Sequence, residues 1–316
     1  MYRDHTVAVV VPAYDEAPHV GDVVAEIPAF VDHVYLVDDA SNDDTSAVAL
    51  AAADPERGRA TGADISRNPG DAANGVWSAL EDRVAERTRR GRVTALRHGE
   101  NEGAGGTVKT GYLAALAGGA ELVATVDGDG QLDPARLDRF LEALTTTDAD
   151  YVKGTRLRSR EDRDEMPAFR LFGNAVLTLL SRASTGYWDL TDPVNGYTVI
   201  TREALADVRP RSLYEGYGYG VQVLARLHAA GCLVADVPHP SAYGPEVSGI
   251  DYRTYVPRVS GLLVETLAWR LRRERLGALS DPGVAAAKSV VGDLLGVVEG
   301  VVSAVRGGAL ERGREP

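Results

Sequence analysis

The stretch from Leu122 to Gln131 constrains this chain most, because an apolar run there ends in a turn that carries carboxylates and a carboxamide. The β-branched residues before Asp127 predict a buried strand, and the two glycines of the turn allow an open backbone. Asp127, Asp129 and Gln131 alternate in sequence, so an extended backbone brings their side chains to one face. Three oxygen-bearing side chains suit a hard divalent cation that keeps positions open for phosphate oxygens. The stretch therefore predicts a metal site that handles a nucleotide diphosphate.

Two simpler interpretations compete for the same turn. Its acidic spacing is that of a calcium-binding EF-hand loop, but Leu132 stands where that loop needs glycine, and a strand-like run replaces the preceding helix. The turn also suits an ordinary acidic cap for a helix that Pro134 begins. The rest of the chain weighs against both.

Charge and composition exclude one broad class of function. The 316 residues include 34 basic and 46 acidic side chains, a formal charge of −12, which argues against a general nucleic-acid binder. Only Lys109, Lys153 and Lys288 are lysines, so arginine supplies nearly all of the positive charge. This acidic, lysine-poor composition is typical of a salt-adapted organism with a GC-rich genome.

The single cysteine, Cys232, excludes an intrachain disulfide and a cysteine-rich metal site. We expect its thiol to be buried and inert within an apolar stretch. A strand begins almost at once after Met1 and leaves no room for a signal peptide, so the expected compartment is the cytosol.

The N-terminal third predicts an open α/β sheet. Residues 6–11 read as a buried strand, 20–27 as a helix and 34–37 as a second strand that ends in acidic residues. In such sheets ligands bind at the carboxyl ends of the strands. Asp38 or Asp39 there is a candidate to bind a base or a ribose. Alternatively, Asp39 and Ser41 cap the helix that begins near Asp44.

The middle of the chain combines an irregular segment with a glycine-rich turn. Residues 54–92 predict a surface insertion with a short helix over 77–89. A strand over 93–96 follows, and then glycines from Gly103 to Gly106 open a helix that extends to Leu116. Such glycines let backbone amides approach a phosphate or a base. On its own this signal is weak.

Four motifs together resemble the family 2 glycosyltransferases of GT-A fold, and among them the dolichyl-phosphate hexose (mannose or glucose) synthases. They read Val-Pro-Ala-Tyr-Asp-Glu at 11–16, Val-Asp-Asp-Ala-Ser at 37–41, Asn-Glu-Gly at 101–103 and Asp-Gly-Asp-Gly-Gln at 127–131. The resemblance covers roughly residues 6–275, with a gap at 54–92. It implies a Rossmann-like, mixed, mostly parallel sheet flanked by helices.

The resemblance also implies roles for individual residues. The acidic turn would carry Mg²⁺ or Mn²⁺ on Asp127, Asp129 and Gln131. The nucleotide would be bound by Pro12, Ala13, Tyr14, Glu16, Asp38, Asp39, Asn101 and Gly103. Two departures stand out: Asp15 where the family usually has asparagine, and Gly106 where a lysine is common. Lys109 is a candidate replacement for that missing charge.

The second half adds residues for the acceptor. In the dolichyl-phosphate enzymes, the arginine of a segment like Gly154-Thr155-Arg156 and one before an apolar helix bind the acceptor phosphate. Arg156 and Arg170 match these positions, and a guanidinium suits phosphate because it is permanently charged and bidentate. Asp192 matches the carboxylate that lines the sugar and acceptor side, and a proline-containing turn is its structural alternative. The predicted catalytic set is therefore Asp127, Asp129, Arg156 and Asp192.

Two further polar residues receive other interpretations. Glu215, in a turn of glycines and tyrosines, is expected to face the site. His239 is interpreted as structural.

The C-terminal region predicts membrane contact without a span. The apolar residues 259–271 are too few to cross a bilayer of ~30 Å. Residues 284–305 are long enough, but Lys288, Asp293 and Glu299 lie on one face, which favours an amphipathic helix. Such a helix lies in the membrane interface or covers the protein's own core.

The sequence thus predicts a catalytic domain over 1–250 and a C-terminal, helical, membrane-proximal segment over 251–316. The expected reaction is metal-dependent transfer of a hexose from a nucleotide diphosphate sugar to dolichyl (polyprenyl) phosphate, for protein or surface glycosylation. The expected location is the cytoplasmic face of the cell membrane, where the protein is peripheral. The alternatives are a glycosyltransferase that extends a saccharide, with Asp192 or Glu215 as general base, and a noncatalytic sugar-nucleotide-binding scaffold.

Overall fold

The computed structural model describes residues 1–54, 76–155, 181–188, 190, 192, 195–239 and 252–278. The strands in these ranges are β1 (Val7–Ala13), β2 (His33–Asp38), β3 (Val84–Arg90), β4 (Val93–His98), β5 (Leu122–Thr125), β6 (Tyr151–Thr155), β7 (Thr198–Thr201) and β8 (Val234–Pro238). The helices are α1 (Val20–Glu26), α2 (Thr45–Ala52), α3 (Val76–Glu81), α4 (Ala104–Ala117), α5 (Leu137–Thr146), α6 (Arg202–Val208), α7 (Tyr219–Ala230) and α8 (Tyr252–Ala278). Short 3-10 turns occupy Pro134–Arg136 and Pro210–Ser212.

The described strands form one eight-stranded sheet in the order β3-β4-β2-β1-β5-β7-β6-β8. Only β3 and β7 run against the other strands of this sheet. This arrangement confirms the predicted mixed, mostly parallel sheet flanked by helices.

Alternate side chains of β1 enter two different cores. Val7, Val9 and Val11 pack with apolar residues of α1, α2 and α5 on one face. Ala8 and Val10 pack with α4, α6 and α7 on the other. Burial on both faces explains why the central strands read as continuous apolar runs in the sequence.

The predicted helix over 77–89 is wrong in its second half. The helix α3 ends at Glu81, and Val84–Arg90 forms an edge strand that pairs antiparallel with β4. Most side chains of β3 are exposed, so no apolar period marked it as a strand. Residues 84–90 therefore extend the sheet, while 55–75 of the predicted insertion lie outside the described residues.

The long helix α8 packs against α7 and the short helical stretch 181–185. The Ser184 hydroxyl donates to the Leu263 carbonyl (2.8 Å), and the Arg270 guanidinium donates to the Ala183 carbonyl (2.7 Å). No helix among the described residues is long and apolar enough to cross a membrane. The predicted amphipathic helix over 284–305 and the apolar helix expected after Arg170 lie outside the described residues.

Candidate active site

Six strands of the sheet end along one side of it, which we call the carboxyl edge, and β7 begins there. The turn after β5 and the residues before β7 meet at this edge because Thr125 pairs with Thr198. The loops after β1, β2 and β4 lie on one side of this point, and the ends of β6 and β8 lie on the other. Most of the sequence-predicted site residues in the described ranges gather along this edge, where open α/β sheets bind ligands.

The acidic turn is held against the end of β1. The Val126 amide donates to the Val10 carbonyl (3.0 Å), and the Gly128 amide donates to the Pro12 carbonyl (3.1 Å). Within the turn the Gln131 amide donates to Asp129 Oδ1 (2.9 Å). The two backbone bonds to β1 fix where the turn presents its side chains.

The donor set of this turn fits a hard cation. Asp127, Asp129 and Gln131 are all partly exposed and offer oxygen donors. In the described part of the chain, no group of three or more His, Cys, Asp or Glu side chains is arranged to hold a metal ion. A cation at this turn would therefore be bound by the carboxylates of Asp127 and Asp129, by the side-chain oxygen of Gln131 and by oxygens of a bound substrate.

The backbone of Gly196 lies directly beside the Asp127 carboxylate. A Cβ at position 196 would collide with Oδ2 and with the carboxyl carbon of Asp127. The backbone must therefore be bare at this position for the carboxylate to keep its place. Burial raises the pKa of the Tyr219 phenol, and the Asp127 carboxylate raises that pKa further.

The loop after β1 explains one departure from the family motif. Asp15 has a φ of 55°, in the left-handed region that asparagine and aspartate tolerate best. Its carboxylate accepts a hydrogen bond from the backbone amide of Asn42 (2.6 Å), and its own backbone amide donates to the Ser41 hydroxyl (3.0 Å). Aspartate thus serves the same backbone role as asparagine, and Tyr14 beside it is 45% exposed.

Asp38 is buried and bonded within the protein. Its carboxylate accepts the Ser41 amide (2.8 Å), the Ser46 hydroxyl (2.6 Å) and Arg97 Nη1 (2.7 Å). Burial opposes its ionisation, but the hydrogen bonds from Ser41 and Ser46 and the nearby Arg97 hold its pKa below the ordinary value. In this structure Asp38 fixes the end of β2 instead of pointing into the cleft.

Asp39 is also buried, and it holds the loop after β4. It accepts the amides of Glu102 and Gly103, each at 2.8 Å, and contacts His98 Nδ1 at 2.7 Å. The alternative that it caps α2 is wrong, because Asp44 precedes that helix. Of the predicted nucleotide-binding residues, Tyr14 and Asn101 are exposed, Pro12, Glu16 and Gly103 are partly exposed, and Ala13 is buried like Asp38 and Asp39.

The glycine-rich start of α4 binds protein backbone. The Gly106 amide donates to the Glu215 carbonyl (3.0 Å), and the Gly103 amide is bound by Asp39. A Cβ at Gly105 would collide with the Tyr214 carbonyl. The expectation that these glycines open the amides to a phosphate or a base is therefore corrected for Gly103 and Gly106. The glycines let the turn at 214–216 approach α4.

Two cations hold Glu215 ionised. Lys109 Nζ lies 2.8 Å and Arg83 Nη1 lies 3.2 Å from Glu215 Oε1. The hydrogen bond from Lys109, followed by that from Arg83, lowers the pKa of Glu215 although partial burial opposes this. Lys109 therefore forms an ion pair with Glu215. A carboxyl group whose pKa is lowered is a weak general base at neutral pH. Arg83, which also contacts Glu102, carries no signal in the sequence.

Asp192 lies in a buried polar cluster between the ends of β6 and β8. Lys153 Nζ donates to the Asp192 carbonyl (2.6 Å), and Asn195 Nδ2 donates to Asp192 Oδ2 (3.2 Å). His239 is buried beside Asn195. Sequence reasoning did not identify Asn195, because its contact with His239 joins residues that are 44 positions apart in the chain. Arg156 and Arg170 lie outside the described residues.

The sequence is similar to a known protein family and to individual proteins of known activity. Residues 73–209 match the sequence family described as glycosyl transferase family 2. A UDP-N-acetylglucosamine–dolichyl-phosphate N-acetylglucosaminyltransferase of Methanococcus voltae is 30% identical over 114 residues, 36% of this chain and 45% of that protein. An undecaprenyl-phosphate mannosyltransferase of Micrococcus luteus is 29% identical over 147 residues, 46% of this chain and 59% of that protein. The matched stretches thus span about half the length of these two relatives.

Solved structures share the architecture at low sequence identity. Glucosyl-3-phosphoglycerate synthase from Mycobacterium tuberculosis superposes with a TM-score of 0.54 at 18% identity, over 84% of this chain and 81% of that chain. The same enzyme in complex with Mn²⁺, UDP-glucose and phosphoglyceric acid gives 0.54 at 19% identity, over 84% and 80% of the two chains. These likenesses concern the fold alone, and they confirm the predicted GT-A fold.

Proposed function

Residues 73–209 carry a glycosyl transferase family 2 domain, and from that premise we propose that the protein transfers a hexose from a nucleotide diphosphate sugar to polyprenyl phosphate. The observation that carries the proposal is the meeting of the Asp127–Gln131 turn with the end of β1, where the parallel strands of the sheet end. The acceptor class is supported by the two curated relatives, whose names specify dolichyl phosphate and undecaprenyl phosphate.

Asp127, Asp129 and Gln131 would hold Mg²⁺ or Mn²⁺ against the diphosphate. When bound, the cation acts as a Lewis acid that neutralises charge on the leaving nucleoside diphosphate. The bonds from the turn to β1 hold the backbone that carries both carboxylates before the donor arrives, so the backbone needs little reorganisation during the reaction. Structural neighbours crystallised with Mn²⁺ or Mg²⁺ support this choice of metal.

The nucleotide would lie along the loops after β1, β2 and β4. Tyr14 and Asn101 are exposed there and can contact it directly. In this proposal the buried Asp38 and Asp39 do not contact the nucleotide. Their carboxylates accept hydrogen bonds from the backbone of the loops that the nucleotide would contact. Gly103 acts in the same way through its bond to Asp39.

The acceptor phosphate would be bound by Arg156 and Arg170 and would attack the anomeric carbon directly. A phosphate monoester has a second pKa near ~6, so most of the nucleophile is ionised at neutral pH. The reaction then needs positioning and charge stabilisation more than a general base. The pairing of Glu215 with Lys109 and Arg83 supports this account, since it leaves no strong base at that position.

A polyprenyl acceptor requires access to a membrane surface, and we place the protein on its cytoplasmic face. Trp188 is 56% and Trp269 is 40% exposed, on neighbouring elements that the Arg270–Ala183 bond joins. The Arg273 guanidinium lies 5.8 Å from the centre of the Trp269 ring. Tryptophan and arginine together are typical of membrane interfaces.

The experiment is a transfer assay with the full chain, Mg²⁺ or Mn²⁺, and UDP- and GDP-linked hexoses and N-acetylhexosamines. Dolichyl phosphate and undecaprenyl phosphate serve as lipid acceptors, and a panel of free saccharides serves as the comparison. We expect sugar to enter the organic phase with one donor and a lipid phosphate. Transfer to saccharides without any lipid product would overturn the acceptor, and no transfer from any donor would overturn the proposed reaction.

A further inference from the structure

We infer that Asn195 is a positioning residue that fixes the Asp192 carboxylate and the bare backbone at Gly196 in one arrangement. The inference rests on the proposed function, in which Asp127 holds the metal, and on the role beside the sugar and the acceptor that the family resemblance implies for Asp192. It assigns a role to a side-chain amide that is buried.

The orientation of the Asn195 side chain is determined by two partners that each have a single hydrogen-bonding role. The Tyr197 amide can only donate, and it lies 3.0 Å from Asn195 Oδ1. The Asp192 carboxylate accepts from Asn195 Nδ2 at 3.2 Å. Because an ionised carboxylate cannot donate and a backbone amide cannot accept, the reversed orientation would lose both bonds.

His239 clamps the amide from the side of β8. Its Nε2 lies 3.2 Å from Asn195 Nδ2 and 3.4 Å from Asn195 Oδ1. An unprotonated Nε2 accepts from Nδ2, and a protonated one donates to Oδ1, so His239 holds the amide in either tautomer. The His239 amide in turn donates to the Thr155 carbonyl (3.2 Å), which ties the clamp to the end of β6.

Gly154 makes this contact possible. A Cβ at position 154 would collide with the His239 ring and would lie 2.6 Å from Asn195 Oδ1. This gives a physical reason for glycine two residues before Arg156. On the other side, Lys153, which is 1% exposed, donates to the Asp192 carbonyl and pairs with Asp236 at 2.8 Å.

Gly196, the residue after Asn195, links the Asn195 hydrogen bonds to the turn at Asp127–Gln131. Gly196 lies directly against the Asp127 carboxylate, so the position of its backbone limits where that carboxylate can lie. Asn195 is linked to Asp192 through its side chain and to Asp127 through the next residue of the chain. Loss of its hydrogen bonds therefore disturbs both sides of the site together.

The sharpest test is Asn195→Asp, which keeps the shape and the acceptor for Tyr197 but replaces the donor to Asp192 with a negative charge. We expect kcat to fall about 10- to 100-fold, the range for residues that orient a site's ligands, while the donor KM changes little. His239→Gln keeps both a donor and an acceptor and should retain most activity. His239→Leu removes both and should lose activity as Asn195→Asp does.

The matched control is His228→Leu, the same change at a histidine on α7 that packs against Tyr187. Its activity should stay near that of the wild type when thermal unfolding shows a similar loss of stability. An active Asn195→Asp, or losses that follow stability alone across all four variants, would overturn the inference.

Crystal structures of wild type and Asn195→Asp separate this inference from the proposed function. If wild type transfers no sugar, the proposed reaction fails, but the positions of Asp192 and Gly196 in the two structures still decide the inference. A shift of the Asp192 carboxylate and of the 196 backbone is expected. Unchanged positions would contradict it.

Discussion

Single residues at the carboxyl edge of the sheet act mainly by close approach and by buried hydrogen bonds. Asp38 and Asp39 illustrate this, because motif reasoning expected them at a ligand and the structure places them in hydrogen bonds to neighbouring loops. The sequence identified their location at the strand end correctly. It had no information on which way each carboxylate points, since that depends on Arg97 and His98 of a strand some sixty residues further along the chain.

Gly196→Ala should abolish most activity without unfolding the protein. The added methyl group would collide with the Asp127 carboxylate and displace it from the proposed metal position. Transfer rates and Mn²⁺ affinity measure the effect, and circular dichroism checks the fold. Gly261→Ala is the control, since that helical position has open space and the change should be neutral or stabilise by up to about 1 kcal/mol. A Gly196→Ala protein with wild-type activity would refute this account of the close approach between Gly196 and Asp127.

Whole elements were predicted well where an apolar run is buried on both faces. The strands β1, β2 and β5 follow from such runs. The exposed strand β3 was missed, because its stability comes from backbone pairing with β4 at the sheet edge. The contact between α4 and the turn at 214–216 was also missed, since the glycines at 103–106 equally suit a ligand or another backbone.

The ion pairs of Glu215 should stabilise this contact in a pH-dependent way. The pKa of Glu215 in the folded protein lies below its ordinary value of 4.5. Its contribution is therefore complete above pH 4.5 and is lost as the pH falls through the lowered value. We expect Glu215→Gln to unfold at a lower temperature than wild type at pH 7, with a difference that shrinks in acid.

Thermal unfolding between pH 3 and pH 7 measures this difference. Glu26→Gln, a change at an exposed carboxylate at the end of α1, is the control and should show no comparable trend. A difference for Glu215→Gln that stays constant over the range would show that the ion pairs contribute nothing to folding.

At the scale of the whole molecule, charge and surface determine how the protein meets its surroundings. The formal charge of −12 predicts self-repulsion that salt screens. We expect the melting temperature at pH 7 to rise by about 3 °C or more between 0.05 and 1 M KCl, the shift that ~1 kcal/mol gives a domain of this size. The same series near the isoelectric point of about 5.0 is the control and should show a smaller gain. Destabilisation by salt at pH 7 would contradict the prediction.

The exposed tryptophans should carry membrane binding. The full chain is expected to float with phospholipid vesicles, and the double change Trp188→Ala and Trp269→Ala should reduce the bound fraction several-fold. Phe30→Ala alters an aromatic residue just before β2 that packs against Tyr2, and it should bind as wild type does. Equal flotation of all three proteins would remove the tryptophans from the proposed membrane surface.

The most direct test of the central claim is metal-dependent sugar transfer by wild type and Asp129→Asn after chelation. Asparagine keeps the size of the side chain and removes one charge from the proposed metal site. We predict that the chelated wild type is inactive, that Mg²⁺ or Mn²⁺ restores transfer to polyprenyl phosphate, and that Asp129→Asn stays at least about 100-fold slower at matched metal. Full activity after chelation, or an Asp129→Asn protein as fast as wild type, would contradict the assignment of this turn as the catalytic metal site.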